Sequence, residues 1–167
     1  MRLFISINVP RELHRYCKQL QSQFPEMKNT NEFHLTIQFL GDDIESADLI
    51  VKKLKEIQFT PFEIEMGDAA PFGHPKNPRG TWIECKENSK LNNLASNIRK
   101  LMEELGYKSD YPFRAHITLG KYKFAPKKIP QKITGEPHKF RVEHFYLMKS
   151  ILSPEGPKYK SIAQFPE

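Results

Sequence analysis

Residues 33–40 read FHLTIQFL, and residues 115–119 read AHITL. Each stretch contains a histidine, an aliphatic residue, a threonine and a second aliphatic residue. Successive side chains of a β-strand point to opposite faces, so His34 and Thr36 share one face and the aliphatic residues share the other. The second stretch repeats this arrangement. The two stretches therefore predict two half-buried strands, each with a His-Thr pair on its polar face.

The segments that precede these strands also follow one order. Each half has an alternating strand, then an amphipathic helix, then the strand that carries histidine and threonine. The corresponding segments are 3–9, 11–24 and 33–40 in the first half, and 81–86, 89–105 and 113–123 in the second. This weak repeat predicts two similar lobes that face each other. It would place both His-Thr pairs in one cleft.

The remaining patterns complete an α+β arrangement. Residues 71–80 are dense in proline and glycine and predict a loop, and residues 125–139 predict a connector rich in lysine and proline. Ser89 is the expected cap of the third helix, and Phe39 is expected to point inward. Further elements are expected at 47–57 (helix), and at 62–66, 140–152 and 159–165 (strands). The order β-α-β-α-β-β-α-β-β-β predicts an α+β fold with antiparallel sheets.

Length and composition indicate a globular protein with one domain, residues 1–167. The fractions of hydrophobic residues, 38%, and charged residues, 28%, are typical of soluble proteins. No apolar run is long enough to cross a bilayer and the first residues do not resemble a signal peptide, so we expect a cytoplasmic monomer. Cys17 and Cys85 have no neighbouring ligands at metal spacing and are expected to be small core residues.

The net charge of +6 leaves two interpretations open. A basic surface attracts polyanions and phosphate ligands. It also simply keeps a protein hydrated, and lysine-rich surfaces are common in heat-adapted proteins. Charge alone does not choose between these interpretations.

Two histidines and two threonines suit the opening of a cyclic phosphate by water. That reaction needs a base for the water and an acid for the departing oxygen, and imidazole serves in either role. Threonine hydroxyls donate hydrogen bonds to phosphate oxygens, which gain charge in the transition state. A single His-x-Thr strand is equally well explained by packing, so the pattern alone leaves a shared site and two unrelated surface histidines as open alternatives. The histidines outside the two motifs, expected to be structural or exposed, are His14, His74, His138 and His144.

Four blocks in order carry a resemblance to a known family. They are MRLFISINVP (1–10), FHLTIQFLGD (33–42), FRAHITLGKYKF (113–124) and SILSPEGPKYKSIAQF (150–165). With the paired His-x-Thr motifs, they resemble the 2H phosphoesterase superfamily. More narrowly, the chain is similar to the archaeal and bacterial RNA 2′,3′-cyclic phosphodiesterases once called 2′-5′ RNA ligases. The resemblance covers essentially the whole chain.

This resemblance implies a bilobal fold in which two antiparallel sheets line a central cleft, with helices outside. It implies hydrolysis of a 2′,3′-cyclic phosphate at an RNA end to a 2′-phosphate, without metal or cofactor. Carried onto this sequence, His34 is the proton donor to the leaving 3′-oxygen and His116 is the proton acceptor that activates water. Thr36 and Thr118 hold the phosphate. Pseudo-symmetry allows the two histidine roles to be exchanged.

The chain departs from the family pattern at two points. Lys121 stands where such proteins often carry arginine. Lysine keeps the positive charge but lacks the bidentate fork of the guanidinium group. The segment 29–32 lacks an aromatic residue that some members carry there. Neither departure affects the four motif residues.

Several further residues are candidates for substrate binding. Phe4 lies opposite the core face of its strand, where it either stacks on a base or packs locally. Arg114 shares the face of its neighbouring histidine and either contacts phosphate or is solvated. Tyr159 lies in the family-like tail and is expected to border the cleft. Lys76 and Arg79 either follow an RNA backbone or belong to the solvated surface.

Alternative functions remain open at this level. The same acid and base would serve the reverse reaction, a 2′-5′ ligation of tRNA halves, by microscopic reversibility. Small cyclic nucleotides are alternative substrates. A noncatalytic RNA-binding or nucleotide-sensing module is a third possibility, which does not require both histidines.

Overall fold

The computed structural model describes all residues, 1–167, as nine strands and three α-helices. The strands are β1 (Arg2–Asn8), β2 (Met27–Asn29), β3 (His34–Gly41), β4 (Phe62–His74), β5 (Asn77–Cys85), β6 (His116–Tyr122), β7 (Lys139–Val142), β8 (Phe145–Ile151) and β9 (Lys158–Phe165). The helices are α1 (His14–Gln21), α2 (Asp48–Leu54) and α3 (Ser89–Glu104). A 3₁₀ turn, Arg11–Leu13, leads into α1 and takes the first part of the predicted helix 11–24.

The strands form two antiparallel halves that meet in the middle. The order is β7-β4-β5-β6-β3-β1-β8-β9, and β2 pairs with the free part of β6. Along this strand order the halves meet where β3 and β6 pair, through Leu35 and Ile117. The α+β class with antiparallel sheets is confirmed, with the two sheets continuous through this narrow junction.

The predicted internal repeat corresponds to matching positions in the two halves. The units β1-α1-β3 and β5-α3-β6 occupy equivalent places on either side of the junction. The helix of each unit packs against the central strand of the other unit: α1 contacts β6, and α3 contacts β3. Gln21, at the end of α1, donates its side-chain amide to the carbonyl of Leu119 in β6 at 2.8 Å. Gln38 in β3 likewise donates to the carbonyl of Tyr107, just beyond α3, at 2.9 Å.

One hydrophobic core runs through both halves. The aliphatic residues that alternate with the His-Thr pairs all belong to it, as the patterns predict: Leu35, Ile37, Ile117 and Leu119. Cys17 is also fully buried in this core, and Cys85 packs against it. Burial of these side chains fixes which face of β3 and β6 is turned to the cleft.

A β-bulge follows each His-Thr pair. Ser6 pairs with Thr36 and Ile5 pairs with Gln38, so the intervening residue of β3 has no partner in β1. β6 shows the same shift directly after Thr118, between its pairings with Trp82 and Thr81. A bulge resets the alternation by one residue. Both bulges lie beyond the histidine and threonine, whose orientation they leave unchanged.

The first bulge explains one wrong prediction. Phe39 was expected to point inward, but it is 44% exposed. Gln38 takes the buried position instead and is only 4% exposed. The alternation predicted from the sequence holds up to Ile37 and then shifts by one residue.

The predicted loop at 71–80 is also wrong. β4 and β5 continue through most of it, and Pro71 pairs with Thr81 while Pro78 pairs with Gly73. Only the turn between His74 and Asn77 lies outside the strands. Proline is tolerated in strands at positions where no ladder hydrogen bond needs its missing N–H, so composition alone misassigned this hairpin.

Three smaller differences concern individual strands and a helix cap. The predicted strand 140–152 is two strands, β7 and β8, in different halves of the molecule. Asn88 rather than Ser89 caps α3, since its side-chain oxygen accepts a hydrogen bond from the Leu91 amide at 3.0 Å. The short strand β2 was not predicted. It crosses Gly120 of β6 so closely that a Cβ there would lie 2.6 Å from the carbonyl oxygen of Lys28.

None of the three helices is both long enough and apolar enough to span a bilayer.

Candidate active site

The junction of the two halves brings the two His-Thr motifs together. β3 and β6 run antiparallel there, and the paired residues Leu35 and Ile117 are fully buried. Their neighbours in sequence therefore face the cleft. Continuing the register by one residue in each direction sets each histidine across from the threonine of the other strand. By this extension from Leu35 and Ile117, His34 is opposite Thr118 and Thr36 is opposite His116.

His34 lies within a cluster of aromatic rings. Its ring centroid is 5.0 Å from that of Phe4 and 5.2 Å from that of Tyr159. Phe4 and Tyr159 also touch each other edge to face, with centroids 5.4 Å apart. The imidazole is therefore held by packing against rings from β1 and β9, and no protein group hydrogen-bonds to it.

This apolar setting shifts the titration of His34. Burial disfavours the imidazolium, and the nearby His116 disfavours it further, so the pKa of His34 falls from 6.5 to about 4. His34 is neutral at neutral pH when the cleft is empty. A phosphate anion in the cleft acts in the opposite direction, because an adjacent negative charge favours the protonated ring.

His116 is held by a hydrogen bond instead. Its Nδ1 lies 2.7 Å from the carbonyl oxygen of Arg114. A carbonyl only accepts, so Nδ1 carries the proton and Nε2 of the neutral ring is left with a free lone pair. The same bond stabilises the imidazolium that forms when Nε2 takes up a proton. This geometry suits a general base.

An aromatic stack supports His116 from the side. Trp82 of β5 lies with its ring centroid 4.2 Å from that of His116, and Phe72 stacks on the other side of the indole at 4.5 Å. The guanidinium carbon of Arg114 lies 5.4 Å from the centre of the Trp82 ring. Burial lowers the pKa of His116, and the Arg114 charge lowers it further against the opposing effect of the carbonyl hydrogen bond. A base with a lowered pKa is unprotonated at neutral pH.

The threonines are free to bind a ligand. Thr36 and Thr118 are half-buried on the cleft side, and neither hydroxyl hydrogen-bonds to a protein group. Each lies across the junction from a histidine. Two hydroxyls with open donors between two imidazoles form a set that accommodates a tetrahedral anion.

Phe4 and Tyr159 both lie at the cleft, as their place in the sequence predicts. Phe4 is only 5% exposed and packs against His34, so it lacks the free face that stacking on a base requires. This corrects the base-stacking interpretation in favour of packing. Tyr159 borders the cleft and contacts the same imidazole edge to face.

The predicted cationic residues divide between the site and its surroundings. Arg114 touches the Trp82 ring, and Lys121 is exposed on β6 beyond the second bulge. Arg79 and Lys121 both line a large cavity that begins at Thr36 and His116. Lys76 lies in the exposed turn between β4 and β5, with its amide bonded to the His74 ring.

Trp82 is the residue of this site that the sequence patterns did not identify. It is the single tryptophan of the chain. The repeat could have identified it, since Trp82 pairs with Thr118 as Ser6 pairs with Thr36. Ser6 and Trp82 therefore hold equivalent positions in the two halves, but Ser6 is fully buried, and only the second half has a large ring at this position.

No group of three or more His, Cys, Asp or Glu side chains, in the cleft or elsewhere in the structure, is arranged to hold a metal ion.

Comparison with known proteins places the chain in a family. The sequence model of the 2′-5′ RNA ligase superfamily matches residues 4–152. A protein of Archaeoglobus fulgidus named RNA 2′,3′-cyclic phosphodiesterase is 30% identical, over 99% of both chains. A protein of the same name from Aquifex aeolicus is 32% identical, over 79% of this chain and 76% of its own.

Solved structures share the fold. TT0787 of Thermus thermophilus superposes with a TM-score of 0.84 at 27% identity, covering 99% of this chain and 97% of its own. The structure of E. coli LigT complexed with 3′-AMP shares the fold, with a TM-score of 0.83 at 23% identity over 98% of this chain and 96% of its own. Since the family match extends over most of the residues and takes in both His-Thr strands, this chain belongs to the 2′-5′ RNA ligase superfamily.

Proposed function

We propose that this protein is an RNA 2′,3′-cyclic phosphodiesterase, which hydrolyses a 2′,3′-cyclic phosphate at an RNA end to a 2′-phosphomonoester. The observation that supports the proposal is the pairing of Leu35 with Ile117 at the junction, because this register, continued by one residue each way, brings His34 opposite Thr118 and Thr36 opposite His116. Relatives that align over the whole chain bear the name of this activity.

The reaction uses the two histidines in opposite protonation states. Nε2 of His116 takes a proton from water, and the water oxygen attacks phosphorus. The bond from phosphorus to the 3′-oxygen breaks on the far side, and His34 delivers its proton to that oxygen. The product keeps the phosphate on the 2′-oxygen, and a proton passed from His116 to His34 through solvent restores the starting state.

The surroundings support this assignment of roles. The hydrogen bond of His116 to the Arg114 carbonyl leaves Nε2 as the acceptor. His34 has no such partner, and its proton is stabilised mainly by the substrate phosphate. A proton stabilised in that way is given up readily once the 3′-oxygen develops negative charge, as a general acid requires. Thr36 and Thr118 donate to the non-bridging oxygens as their charge grows.

The proposal includes independence from metals. Acid, base and oxyanion donors are all supplied by side chains, so the scheme assigns no step to a cation. Hydrolysis in the presence of EDTA at the rate seen without it is the expected result. Loss of activity on chelation, restored by a divalent cation, would contradict this part.

The test is incubation with a short RNA that ends in a 2′,3′-cyclic phosphate, followed by identification of the product. We expect a 2′-phosphate, which resists enzymes specific for 3′-phosphates. A 3′-phosphate product would reverse the assignment of the leaving oxygen, and an unchanged cyclic end would refute the proposed activity.

Joining of RNA ends uses the same proton transfers with a 5′-hydroxyl in place of water: His116 takes the proton of that hydroxyl, its oxygen attacks phosphorus, and His34 protonates the departing 3′-oxygen, which leaves a 2′-5′ bond. The name of the superfamily makes this reaction worth measuring. Two RNA fragments, one with a cyclic end and one with a 5′-hydroxyl, are incubated at high concentration and examined for a 2′-5′ bond. We expect hydrolysis to exceed joining in dilute RNA, because water is the more abundant nucleophile. Half-molecules of tRNA are the natural fragments to use.

A further inference from the structure

A large cavity extends from the histidines across the second half. It has a volume of about 1200 Å³ and runs from Thr36 and His116 to Phe124. Sites for small ligands usually enclose about 300–1,000 Å³. The cavity is therefore larger than one cyclic nucleotide needs.

Positive charge dominates the walls of this cavity. Asp110 is the only acidic residue among those that line it. The cationic residues of the wall are Arg79, Arg99, Lys108, Arg114, Lys121 and Lys123. We name the cavity with these residues the basic groove. Its charge is complementary to that of a chain of phosphates.

Two aromatic side chains of the basic groove are almost fully open to solvent, and a third, Phe39, is 44% exposed. Tyr111 is 80% exposed and Phe124 is 77% exposed. The Lys123 ammonium lies 5.7 Å from the centre of the Phe124 ring, and the Arg99 guanidinium donates to the backbone carbonyl of Tyr111. Exposed rings beside cations are the combination that binds single-stranded nucleic acid, since unpaired bases stack on the rings while cations meet the phosphates.

The two sides of the cleft differ in this respect. In the first half, the rings of Phe4 and Tyr159 pack against His34, and the half-open ring of Phe39 has the Arg2 guanidinium carbon 4.4 Å from its centre. In the second half, Trp82 and Phe72 form the inner wall, and the exposed rings lie farther out. The groove also begins at Thr36, which lies on the strand of His34, so a nucleotide whose 3′-oxygen faces His34 has access to it.

We infer that the basic groove binds the single-stranded RNA on the 5′ side of the cyclic phosphate, over more than one nucleotide. Bases stack on Tyr111 and Phe124, and Lys121 and Lys123 meet the backbone phosphates. The inference rests on the proposed function and names the form of the substrate: an unpaired oligonucleotide end rather than a free cyclic nucleotide.

A substrate-length series on the wild-type protein tests this first. The values of kcat/KM are compared for a nucleoside 2′,3′-cyclic phosphate and for unstructured RNAs of about two, four and eight nucleotides with the same cyclic end. We expect kcat/KM to rise about 5- to 100-fold for each base that stacks and then to level off. Equal values for the mononucleotide and the longer RNAs would overturn the inference and leave the proposed function standing.

Variants locate the effect. In Tyr111→Ala/Phe124→Ala, the ratio of kcat/KM for the tetranucleotide to that for the mononucleotide should fall about tenfold or more. Leu152→Ala is the matched control, since Leu152 is 84% exposed but lies outside the groove. It should keep the wild-type ratio. Because all three side chains are largely exposed, their removal leaves the core intact, and circular dichroism verifies the fold.

Salt dependence tests the cationic wall independently. The logarithm of kcat/KM for the tetranucleotide should fall with the logarithm of salt concentration, and Lys123→Gln should reduce that slope by about 0.7. An unchanged slope, or an unchanged length ratio in the double variant, contradicts the groove. If cyclic nucleotide and RNA are both left intact, it is the proposed function that fails, so the two failures are distinguishable.

Discussion

The two His-Thr strands have the same backbone arrangement and different surroundings. β3 and β6 each place histidine, aliphatic residue, threonine and bulge in that order, and each is the inner strand of its half. The imidazole of His34 is enclosed by rings and makes no hydrogen bond to the protein, whereas the imidazole of His116 is bonded to a carbonyl. The repeated backbone arrangement of β3 and β6 gives two histidines in equivalent positions. What surrounds each position makes one histidine fit to give a proton and the other fit to take one.

The largest effect should follow removal of either imidazole. His34→Ala and His116→Ala should each lower kcat for cyclic-phosphate hydrolysis by about 10²–10⁴-fold, since each loses one proton transfer. His144→Ala is the control, because His144 lies in the short segment that connects β7 to β8 and its aromatic neighbour is Tyr146 rather than a residue of the site. Near-normal turnover in either motif variant would show that hydrolysis requires only one of the two histidines, and would contradict a site shared by the two strands.

The threonines should come next. Thr36→Val and Thr118→Val keep the β-branched shape and remove a donor to the phosphate, at an expected cost of about 10²-fold in kcat. The double variant Thr36→Val/Thr118→Val shows whether the two hydroxyls act on the same step or on separate ones. If both hydroxyls stabilise the same transition state, the loss should fall mainly on kcat, whereas a loss confined to KM would mark them as ground-state binders only.

A smaller effect is expected at Trp82, which positions His116 and lies beside the reacting groups. Trp82→Leu should reduce kcat/KM about tenfold and shift the limb of the pH profile that reports His116, because the imidazole loses its packed neighbour. Trp82→Phe keeps a ring against His116 and should restore most of the activity. It also removes an indole N–H that is buried without a partner. Equal losses in both variants would contradict the role of the ring.

The last effect concerns stability rather than turnover. His34 has a pKa of about 4 in the folded protein and 6.5 when exposed, so between these values the unfolded chain binds more protons. Stability should therefore fall as pH drops from 6.5 to 4. His34→Gln should remove a part of that fall, of order 2–3 kcal/mol, measured by urea unfolding at several pH values. The same dependence in wild type and His34→Gln would show that His34 is not held neutral by the fold.

The sequence patterns predicted the parts that depend on alternation. His34, Thr36 and their counterparts precede the bulges, where the two-residue period of a strand still holds. The exposure of Phe39 could not be predicted, because a bulge depends on pairing with β1 rather than on local residues. The hairpin at 71–80 was missed for a similar reason, since pairing between β4 and β5 overrides the turn propensity of proline and glycine.

The different surroundings of His34 and His116 could not be predicted from local sequence patterns. Trp82 and Tyr159 come from strands far in sequence from the histidines they contact. The carbonyl that holds His116 belongs to the backbone of Arg114, which no side-chain pattern records. Sequence and resemblance therefore led to the pair of histidines, while the distinction between them depends on tertiary contacts.

The central claim is that His34 gives a proton to the 3′-oxygen and His116 takes one from water. It is tested most directly with a cyclic substrate in which sulfur replaces the 3′-oxygen. A thiolate leaves without protonation, so this substrate needs no general acid but still needs a base. We predict that His34→Ala cleaves it at a rate close to that of the wild type, while His116→Ala stays inactive. Rescue of His116→Ala instead, or of neither variant, would contradict the account.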